Sequence, residues 1–288
     1  HLLLTQGKQS YRGKNQLQDI IERARVTVVM FDEYQILTTE QFWEAQILEK
    51  YRKQAEATNN HIILDKQLRM QAGPETMDWI DSFTKRNEIK KLPETVDGYT
   101  IKVFDDPEQL DLEITEKAKK TDSALSRLIA TYDWEYSSKA KRRFRKYWEV
   151  EIGAWHKPWN RELKSELSQK EKRQIKDLAW AEQPQTINEV GSTFTIQGFD
   201  LNYAGVILGP SVKYRNGKVI YDPEKSCNDK AIQNRTLSVG SKQKFGEILI
   251  QHAVRVLMTR GVNGMFIYAC DDELREALKR ATQRGETK

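Results

Sequence analysis

The chain has 288 residues, of which 31% are charged and 38% hydrophobic, and its formal net charge is +5. This length predicts two domains or one large one, and the apolar content excludes general disorder. No apolar run approaches the roughly 18–20 residues of a membrane-spanning helix, and the start at His1 lacks the cationic region of a signal peptide. Two cysteines, Cys227 and Cys270, cannot by themselves form a disulfide framework or a zinc site. We therefore expect a soluble, cytoplasmic protein with reduced cysteines.

The first segment, residues 1–57, predicts a loop, a helix, a strand and a second helix. The β-branched apolar run from Val26 to Phe31 has the length of a strand buried on both faces of a parallel sheet. Thr38, followed three residues later by Gln41, is a capping box and predicts that the second helix begins there. The first helix is indicated by the spacing of Leu17, Ile20, Ile21 and Ala24.

A linker at residues 55–60 leads into a second segment, residues 58–288, in which predicted strands and helices alternate. Such alternation is typical of an α/β fold with a parallel sheet. A charged, tryptophan-rich insert at about residues 134–190 interrupts the alternation, and a hairpin is predicted around Asn216-Gly217. The other predicted strands are 61–64, 99–104, 125–131, 193–197, 204–208 and 264–269, and the predicted helices are 74–86, one opened by Asp106-Pro107, 242–258 and one from Asp271.

Residues Gly7 to Asn15 have the glycines and lysine of a phosphate-binding loop but do not satisfy its pattern. That pattern requires four residues between its glycines and a Ser or Thr after the lysine, which holds magnesium. Here five residues separate Gly7 from Gly13, and Asn15 follows Lys14. We therefore interpret this stretch as a flexible surface loop.

Acidic residues follow the predicted strand that ends at Phe31, in the sequence Phe31-Asp32-Glu33-Tyr34-Gln35. The carboxyl end of a parallel strand is where α/β folds place their ligands. Adjacent carboxylates could hold Mg²⁺ or orient a water molecule, and Gln35 could contact a phosphate. A solvated acidic turn before the predicted cap at Thr38 explains the same residues.

Two arginines and a glycine each have a functional and a purely structural interpretation. Arg69, which follows the predicted strand 61–64, is either a surface charge or a group that stabilises a transferring phosphate. Gly198 lies where the chain must turn sharply, and glycine permits positive φ and close approach to a ligand. Arg260 ends an apolar helix, where a cation is favourable in any case and Gly261 would be the terminating glycine.

Basic and aromatic residues are interleaved within the insert. This composition suits single-stranded nucleic acid, whose phosphates attract cations and whose bases stack on aromatic rings. The competing interpretation is a solvated basic helix face beside tryptophans of the core. Residues 161–178 predict an exposed helix with ion pairs. The candidate nucleic-acid contacts are Arg142, Arg143, Arg145 and Trp148.

The order of these motifs along the chain is similar to the late motif series of superfamily-one helicases. More closely, the chain resembles the Schlafen-like DNA/RNA helicase domain of bacterial proteins. The resemblance spans nearly the whole chain, and its long stretches are the specific ones. The matching stretches are VTVVMFDEYQIL, QLRM, LIATYDWEYSS, EVGSTFTIQGFDLNYAGVILGP and HAVRVLMTRGVNGMFIYACDDEL.

This resemblance implies a P-loop NTPase with a RecA-like parallel sheet flanked by helices, and it divides the chain into two parts. Residues 1–57 would be the C-terminal remnant of a first RecA-like domain. Residues 58–288 would be the second RecA-like domain, with the insert at about 134–190. His1 looks like the last residue of an Asp-Glu-Ala-His box, which implies that the phosphate loop and the acidic pair that holds Mg²⁺ lie upstream.

The resemblance further implies the C-terminal portion of an ATP-dependent helicase or translocase. ATP and Mg²⁺ would serve the parent protein and bind this segment weakly or not at all. The partners would be single-stranded DNA or RNA and the missing N-terminal RecA-like half, with no membrane involved. The γ-phosphate would be contacted by Gln35, Arg69 and Arg260, and the other nucleotide-binding residues would be Asp32, Gly198 and Asp200.

Two other functions are compatible with the same residues. One is a non-hydrolysing module on a degenerate P-loop fold that binds nucleic acid or protein. The other is a nuclease that uses Asp32 and Glu33, although no other carboxylates show metal-ligand spacing with this pair.

Overall fold

The computed structural model describes residues 16–64, 67–93, 98–120, 125–137 and 146–282. The loop at Gly7–Asn15, His1 and the arginines Arg142, Arg143 and Arg145 lie outside these ranges. The helices are α1 (Gln16–Arg23), α2 (Ala45–Ala57), α3 (Pro74–Lys85), α4 (Pro107–Lys120), α5 (Gln169–Gln174), α6 (Thr193–Ile196), α7 (Asp229–Ile232), α8 (Gly246–Met258) and α9 (Asp272–Thr282). The strands are β1 (Thr100–Val103), β2 (Ser126–Ala130), β3 (Glu149–Ile152), β4 (Trp155–Pro158), β5 (Val190–Ser192), β6 (Leu201–Leu208), β7 (Val212–Arg215), β8 (Lys218–Tyr221), β9 (Asn234–Thr236), β10 (Lys242–Lys244) and β11 (Gly261–Ala269).

Five parallel strands form the central sheet, in the order β1-β11-β6-β2-β5. The middle strands are apolar runs buried along most of their length, as expected for strands covered on both faces. Three antiparallel pairs, β3–β4, β7–β8 and β9–β10, lie outside this sheet. The α/β fold with a parallel sheet flanked by helices is thereby confirmed, and it is consistent with a RecA-like domain.

Successive residues of the middle strands point into two different hydrophobic clusters. In β11, Met265 and Ile267 pack in one cluster, whereas Phe266 and Tyr268 pack in the other. The first cluster includes side chains from α3, α8 and α9, and the second includes α4 together with Trp159 and Val150 of the insert. The period of two along each strand therefore accounts for the two covered faces of the sheet.

Most predictions for the second segment are confirmed. Helix α3 begins at Pro74, a residue suited to the first helical turn, and α4 begins at Pro107. The β7–β8 hairpin turns at Asn216 and Gly217, whose φ angles of 53° and 79° are the positive values that an Asn-Gly turn adopts. In the first segment, the helix predicted around Leu17 is also confirmed, as α1.

The predicted strands 26–31 and 61–64 are wrong. Neither run forms a strand, and both are exposed, with 81% of Val26 and 80% of Ile62 accessible to solvent. A strand requires a neighbour for its backbone hydrogen bonds, and within the described residues no strand pairs with either run. The apolar composition is therefore that of a strand, but the described part of the chain does not supply its partner.

Several predicted helices and one predicted strand have different bounds or types. Residues 193–197 contain the helical turn α6 and not a strand, and 161–178 contains a 3₁₀ turn (Glu162–Glu166) followed by the short α5. Helix α5 starts where it does because Ser168 and Glu171 form a reciprocal capping box. Residues 242–244 form β10, so α8 begins only at Gly246.

The region around Thr38 also differs from its prediction. Thr38 makes no side-chain capping bond, residues Thr39–Gln41 form a 3₁₀ turn, and α2 begins at Ala45 and continues to Ala57, into the predicted linker. The hydroxyl of the next residue, Thr39, donates to Ala231 O at 3.1 Å, and this contact ties the turn to α7. Gly261 does not terminate α8 but begins β11, where a side chain would collide with Gly264 O.

A third hydrophobic cluster fixes the first segment against the second. It joins Leu17, Ile36 and Trp43 to Ala231 of α7 and Leu249 of α8. Phe42 stacks on Phe245 with 4.0 Å between ring centroids. Residues 36–43 are therefore anchored to α7 and α8. Within the described ranges, no helix is long and apolar enough to cross a membrane.

Candidate functional site: an arginine-rich pocket

A pocket lies at the amino ends of β6 and β11. Asp200 directly precedes β6 and Arg260 directly precedes β11, and Leu201 N donates to Arg260 O at 2.9 Å. Sequence reasoning expected ligand chemistry beyond the carboxyl end of a strand at Phe31, a strand that does not form here. The pocket is lined by Asp32, Tyr34, Gln35, Gln67, Arg69, Met70, Met77, Arg255, Val256, Thr259 and Arg260.

The acidic turn forms one wall of the pocket. Asp32 caps the 3₁₀ turn Glu33–Gln35, because its Oδ1 accepts from Tyr34 N at 3.0 Å. Its Oδ2 accepts from Gln35 Nε2 at 2.9 Å, which fixes the orientation of the Gln35 amide. Gln35 O accepts from Gln197 Nε2 at 3.2 Å. The two candidate residues Asp32 and Gln35 are thus in direct contact and are tied to the turn that precedes β6.

Tyr34 anchors the same turn to α3 and α8. Lys85 Nζ lies over the Tyr34 ring, 4.2 Å from its centroid, and the Arg255 guanidinium lies 4.9 Å from it. His252 meets the ring edge-on at 5.6 Å. Burial lowers the pKa of His252 below its ordinary 6.5, so the imidazole is neutral at pH 7 and donates from Nδ1 to Ile36 O at 3.0 Å. The acidic turn is therefore held in place by side chains of both α3 and α8.

Two arginines that line the pocket face one oxygen of the Asp200 carboxylate, and Asp200 itself is not a lining residue. Arg69 Nε lies 2.6 Å from Asp200 Oδ1, and Arg260 Nη1 lies 3.9 Å from the same oxygen. Arg260 is only 1% exposed and also donates to Val256 O at 3.0 Å and Phe199 O at 3.3 Å. Burial, and then the charge of Arg69, lowers the pKa of Arg260 to about 10. Arg260 therefore remains a cation at neutral pH.

The turn that carries Arg69 is stabilised by Gln67. Gln67 Oε1 accepts from the backbone N–H groups of Arg69 and Met70, and its Nε2 donates to Met70 O at 3.1 Å. Gly198 has φ of +86°, and no atom lies within 4 Å of where a side chain would begin, so backbone conformation alone favours glycine there. Gly198 does not line the pocket but belongs to the turn that places Asp200.

Sequence reasoning missed Arg255 and Tyr34. Arg255 lines the pocket beside Arg260 and forms an ion pair with Asp81 of α3. The available signal was a lone arginine within the apolar stretch His252–Met258. Tyr34 lay inside the FDEYQ motif, but a tyrosine next to acidic residues gives no indication of the cations around its ring.

Trp148, a candidate nucleic-acid contact, does not line the pocket. It is half-buried against the hydrophobic cluster that contains Trp159, and its carbonyl accepts from Trp159 N at 2.8 Å. Trp159 and Trp180 are buried, as the core interpretation of the tryptophans predicts. The other three candidates, Arg142, Arg143 and Arg145, lie outside the described residues.

Within the described ranges, no group of three or more His, Cys, Asp and Glu residues could hold a metal ion. The cations and amide of the pocket suit the oxygens of a phosphate, whereas they offer no ligand set for Mg²⁺. The side chains that line the pocket are therefore suited to an anionic ligand.

The parallel sheet, its flanking helices and this pocket define an α/β protein consistent with a RecA-like domain. The chain belongs to the Schlafen group 3 DNA/RNA helicase domain family, whose sequence profile matches residues 1–271. It is 30% identical over 308 residues to the uncharacterized protein YPL245W of Saccharomyces cerevisiae, an alignment that covers 99% of this chain and 64% of that protein. No solved structure matches the chain.

Proposed function

We propose that the chain supplies one side of the ATP site of a helicase or translocase that acts on single-stranded DNA or RNA. Gln35 senses the γ-phosphate, Asp32 orients Gln35, and Arg69 and Arg260 stabilise the charge that develops during phosphoryl transfer. Phosphoryl transfer depends mainly on positioning and charge stabilisation, so a pocket of arginines and an amide is suited to it.

The observation that carries this proposal is the convergence of three motifs in one pocket. The motif that contains Asp32 and Gln35, the motif that contains Arg69 and the motif that contains Arg260 are far apart in sequence, and all four residues line the pocket. Family membership adds support, because a helicase domain needs such a site. Bound ATP would supply the phosphoryl group, while this chain would hold and neutralise its terminal phosphate.

We further propose that a second RecA-like unit completes the site with a phosphate loop and the Mg²⁺-binding acidic pair. The exposed apolar runs 26–31 and 62–64 support this proposal. The first run directly precedes Asp32 and the second precedes Arg69, so each run is close in sequence to a residue that lines the pocket. Apolar runs of strand composition at such positions are suited to pair with strands of the completing unit.

The test is nucleic-acid-stimulated ATP hydrolysis by the protein that joins this chain to its N-terminal RecA-like half. Arg260→Ala should lower kcat by about 10³-fold or more, as for other arginines that reach the transferred phosphate. Arg86→Ala is the matched control, since Arg86 pairs with Asp78 at the end of α3 and does not line the pocket. Unchanged hydrolysis by Arg260→Ala, or Mg²⁺-dependent hydrolysis by residues 1–288 alone, would contradict the proposal.

Nucleic-acid binding requires a separate measurement. Fluorescence anisotropy with single-stranded DNA and RNA at two salt concentrations should show weaker binding by an Arg142/Arg143/Arg145→Ala variant. The salt dependence of the affinity should also become shallower, because a complex with fewer phosphate contacts releases fewer counterions when it forms. If the variant and the wild type have the same affinity and the same salt dependence, these three arginines do not bind the nucleic acid.

A further inference from the structure

Asp200 is the carboxylate that faces two of the arginines lining the pocket, although it is not itself a lining residue. Its Oδ1 lies 2.6 Å from Arg69 Nε and 3.9 Å from Arg260 Nη1, so a single carboxylate oxygen faces both cations. Arg260 approaches Asp200 from the buried side, whereas the Asp200 side chain is 44% exposed. A carboxylate oxygen presents to a guanidinium the same kind of acceptor as a phosphate oxygen.

The carboxylate is held by weak interactions. Half-exposed ion pairs contribute little to stability, because water screens them and the side chains lose freedom. A polyphosphate carries more charge and more acceptor oxygens than one carboxylate, so it can compete for the same two arginines. The arginines themselves repel each other, and this repulsion contributes to the lowered pKa of Arg260. Some anion is therefore needed to keep them together.

We propose that Asp200 is the internal counter-ion of Arg69 and Arg260 and that a polyphosphate binds by displacing its carboxylate. This inference rests on the proposed function and changes one part of it. The family resemblance implies that Asp200 contacts the nucleotide, where it would favour binding. As a counter-ion, Asp200 instead competes with the phosphates for the two arginines. Anions of low charge then fail to displace its carboxylate, and only a highly charged ligand binds.

The two roles predict opposite effects of removing the Asp200 charge. Asp200→Asn keeps the size of the side chain and its ability to accept from arginine, but it no longer competes as an anion. If Asp200 is a counter-ion, loss of its charge should tighten the binding of inorganic tripolyphosphate and of ATP by about 3- to 10-fold each. If Asp200 is a nucleotide contact, loss of its charge should weaken the binding of ATP and leave the binding of tripolyphosphate unchanged.

The experiment is isothermal titration calorimetry of the 288-residue chain with tripolyphosphate and, separately, with ATP. The variants are Asp200→Asn, Arg69→Ala and the control Glu113→Gln. Glu113 lies on α4, pairs with Lys102 at 2.8 Å and does not line the pocket, so its substitution changes net charge equally without touching the site. Thermal unfolding of each variant checks that it is folded.

Tighter binding of both ligands by Asp200→Asn, with Glu113→Gln unchanged, supports the inference. Equal tightening by Glu113→Gln overturns it, since net charge would then suffice. Weaker ATP binding with unchanged tripolyphosphate binding also overturns it and leaves Asp200 as a nucleotide contact. If Arg69→Ala weakens binding while Asp200→Asn has no effect, the inference fails and the proposed phosphate site stands. If neither ligand binds any form, the inference fails, and the proposed function is then decided by the hydrolysis measurement on the protein with the completed site.

Discussion

Two buried arginines in this protein have different surroundings. Arg127 of β2 is 4% exposed and Arg260 is 1% exposed, and burial lowers the pKa of each to about 10. Arg127 is enclosed by the insert, where it donates to Thr186 Oγ1 at 2.8 Å and Ser126 O at 2.8 Å and lies near buried Glu189. Arg260 instead faces a pocket and the half-exposed Asp200. Although the two arginines are about equally buried, Arg127 is surrounded by hydrogen-bond partners of the fold, whereas Arg260 borders a pocket.

The largest expected difference between the two arginines is in stability. Arg127→Ala should lower the free energy of unfolding by about 3–5 kcal/mol, because it leaves the buried acceptors Thr186 Oγ1, Ser126 O and Gln183 O without their donor. Arg260→Ala should cost about 1–2 kcal/mol, since it mainly removes two hydrogen bonds to backbone carbonyls. Urea unfolding at pH 7 measures both. A greater loss for Arg260→Ala would mean that the pocket arginine is the structural one.

The buried carboxyl group beside Arg127 gives the next largest effect, through pH. Burial raises the pKa of Glu189 from its ordinary 4.5 to about 7, although Leu163 N and Trp180 Nε1 donate to it. Because the folded-state pKa is the higher one, the folded state binds the proton more tightly. The resulting stability is fully present below about pH 4.5 and is lost as the pH rises to about 7.

Glu189→Gln imitates the protonated carboxyl group and should remove this pH dependence. Relative to the wild type, the variant should gain up to about 3 kcal/mol between pH 4.5 and pH 8, measured by urea unfolding at both values. Glu116→Gln is the control, because Glu116 is an exposed residue of α4 that pairs with Lys119. If the Glu189→Gln difference is the same at both pH values, folding does not raise the pKa of Glu189.

The predictability of these regions from sequence depends on where the partners of each residue lie. Strands β2, β6 and β11 were predictable, because their apolar runs pair with each other inside the described chain. Residues 26–31 have the same composition but no strand partner there, so the same reasoning failed. The association of Asp32, Gln35, Arg69 and Arg260 was implied by their order, whereas Arg255 and the cations around Tyr34 depend on how α3 packs on α8.

The smallest predicted effect concerns Tyr34 in the acidic turn, which forms one wall of the pocket. Tyr34→Ala removes the ring that Lys85 and Arg255 lie over and that His252 contacts, and should cost about 1–2 kcal/mol. Tyr34→Phe keeps the ring and should cost much less. Amide hydrogen exchange should become faster around the acidic turn at residues 32–36 and stay unchanged in β6 and β11, because those strands are held by the sheet. Faster exchange across the whole sheet would instead mean that the acidic turn supports the fold, and that the two sides of the pocket are not independent.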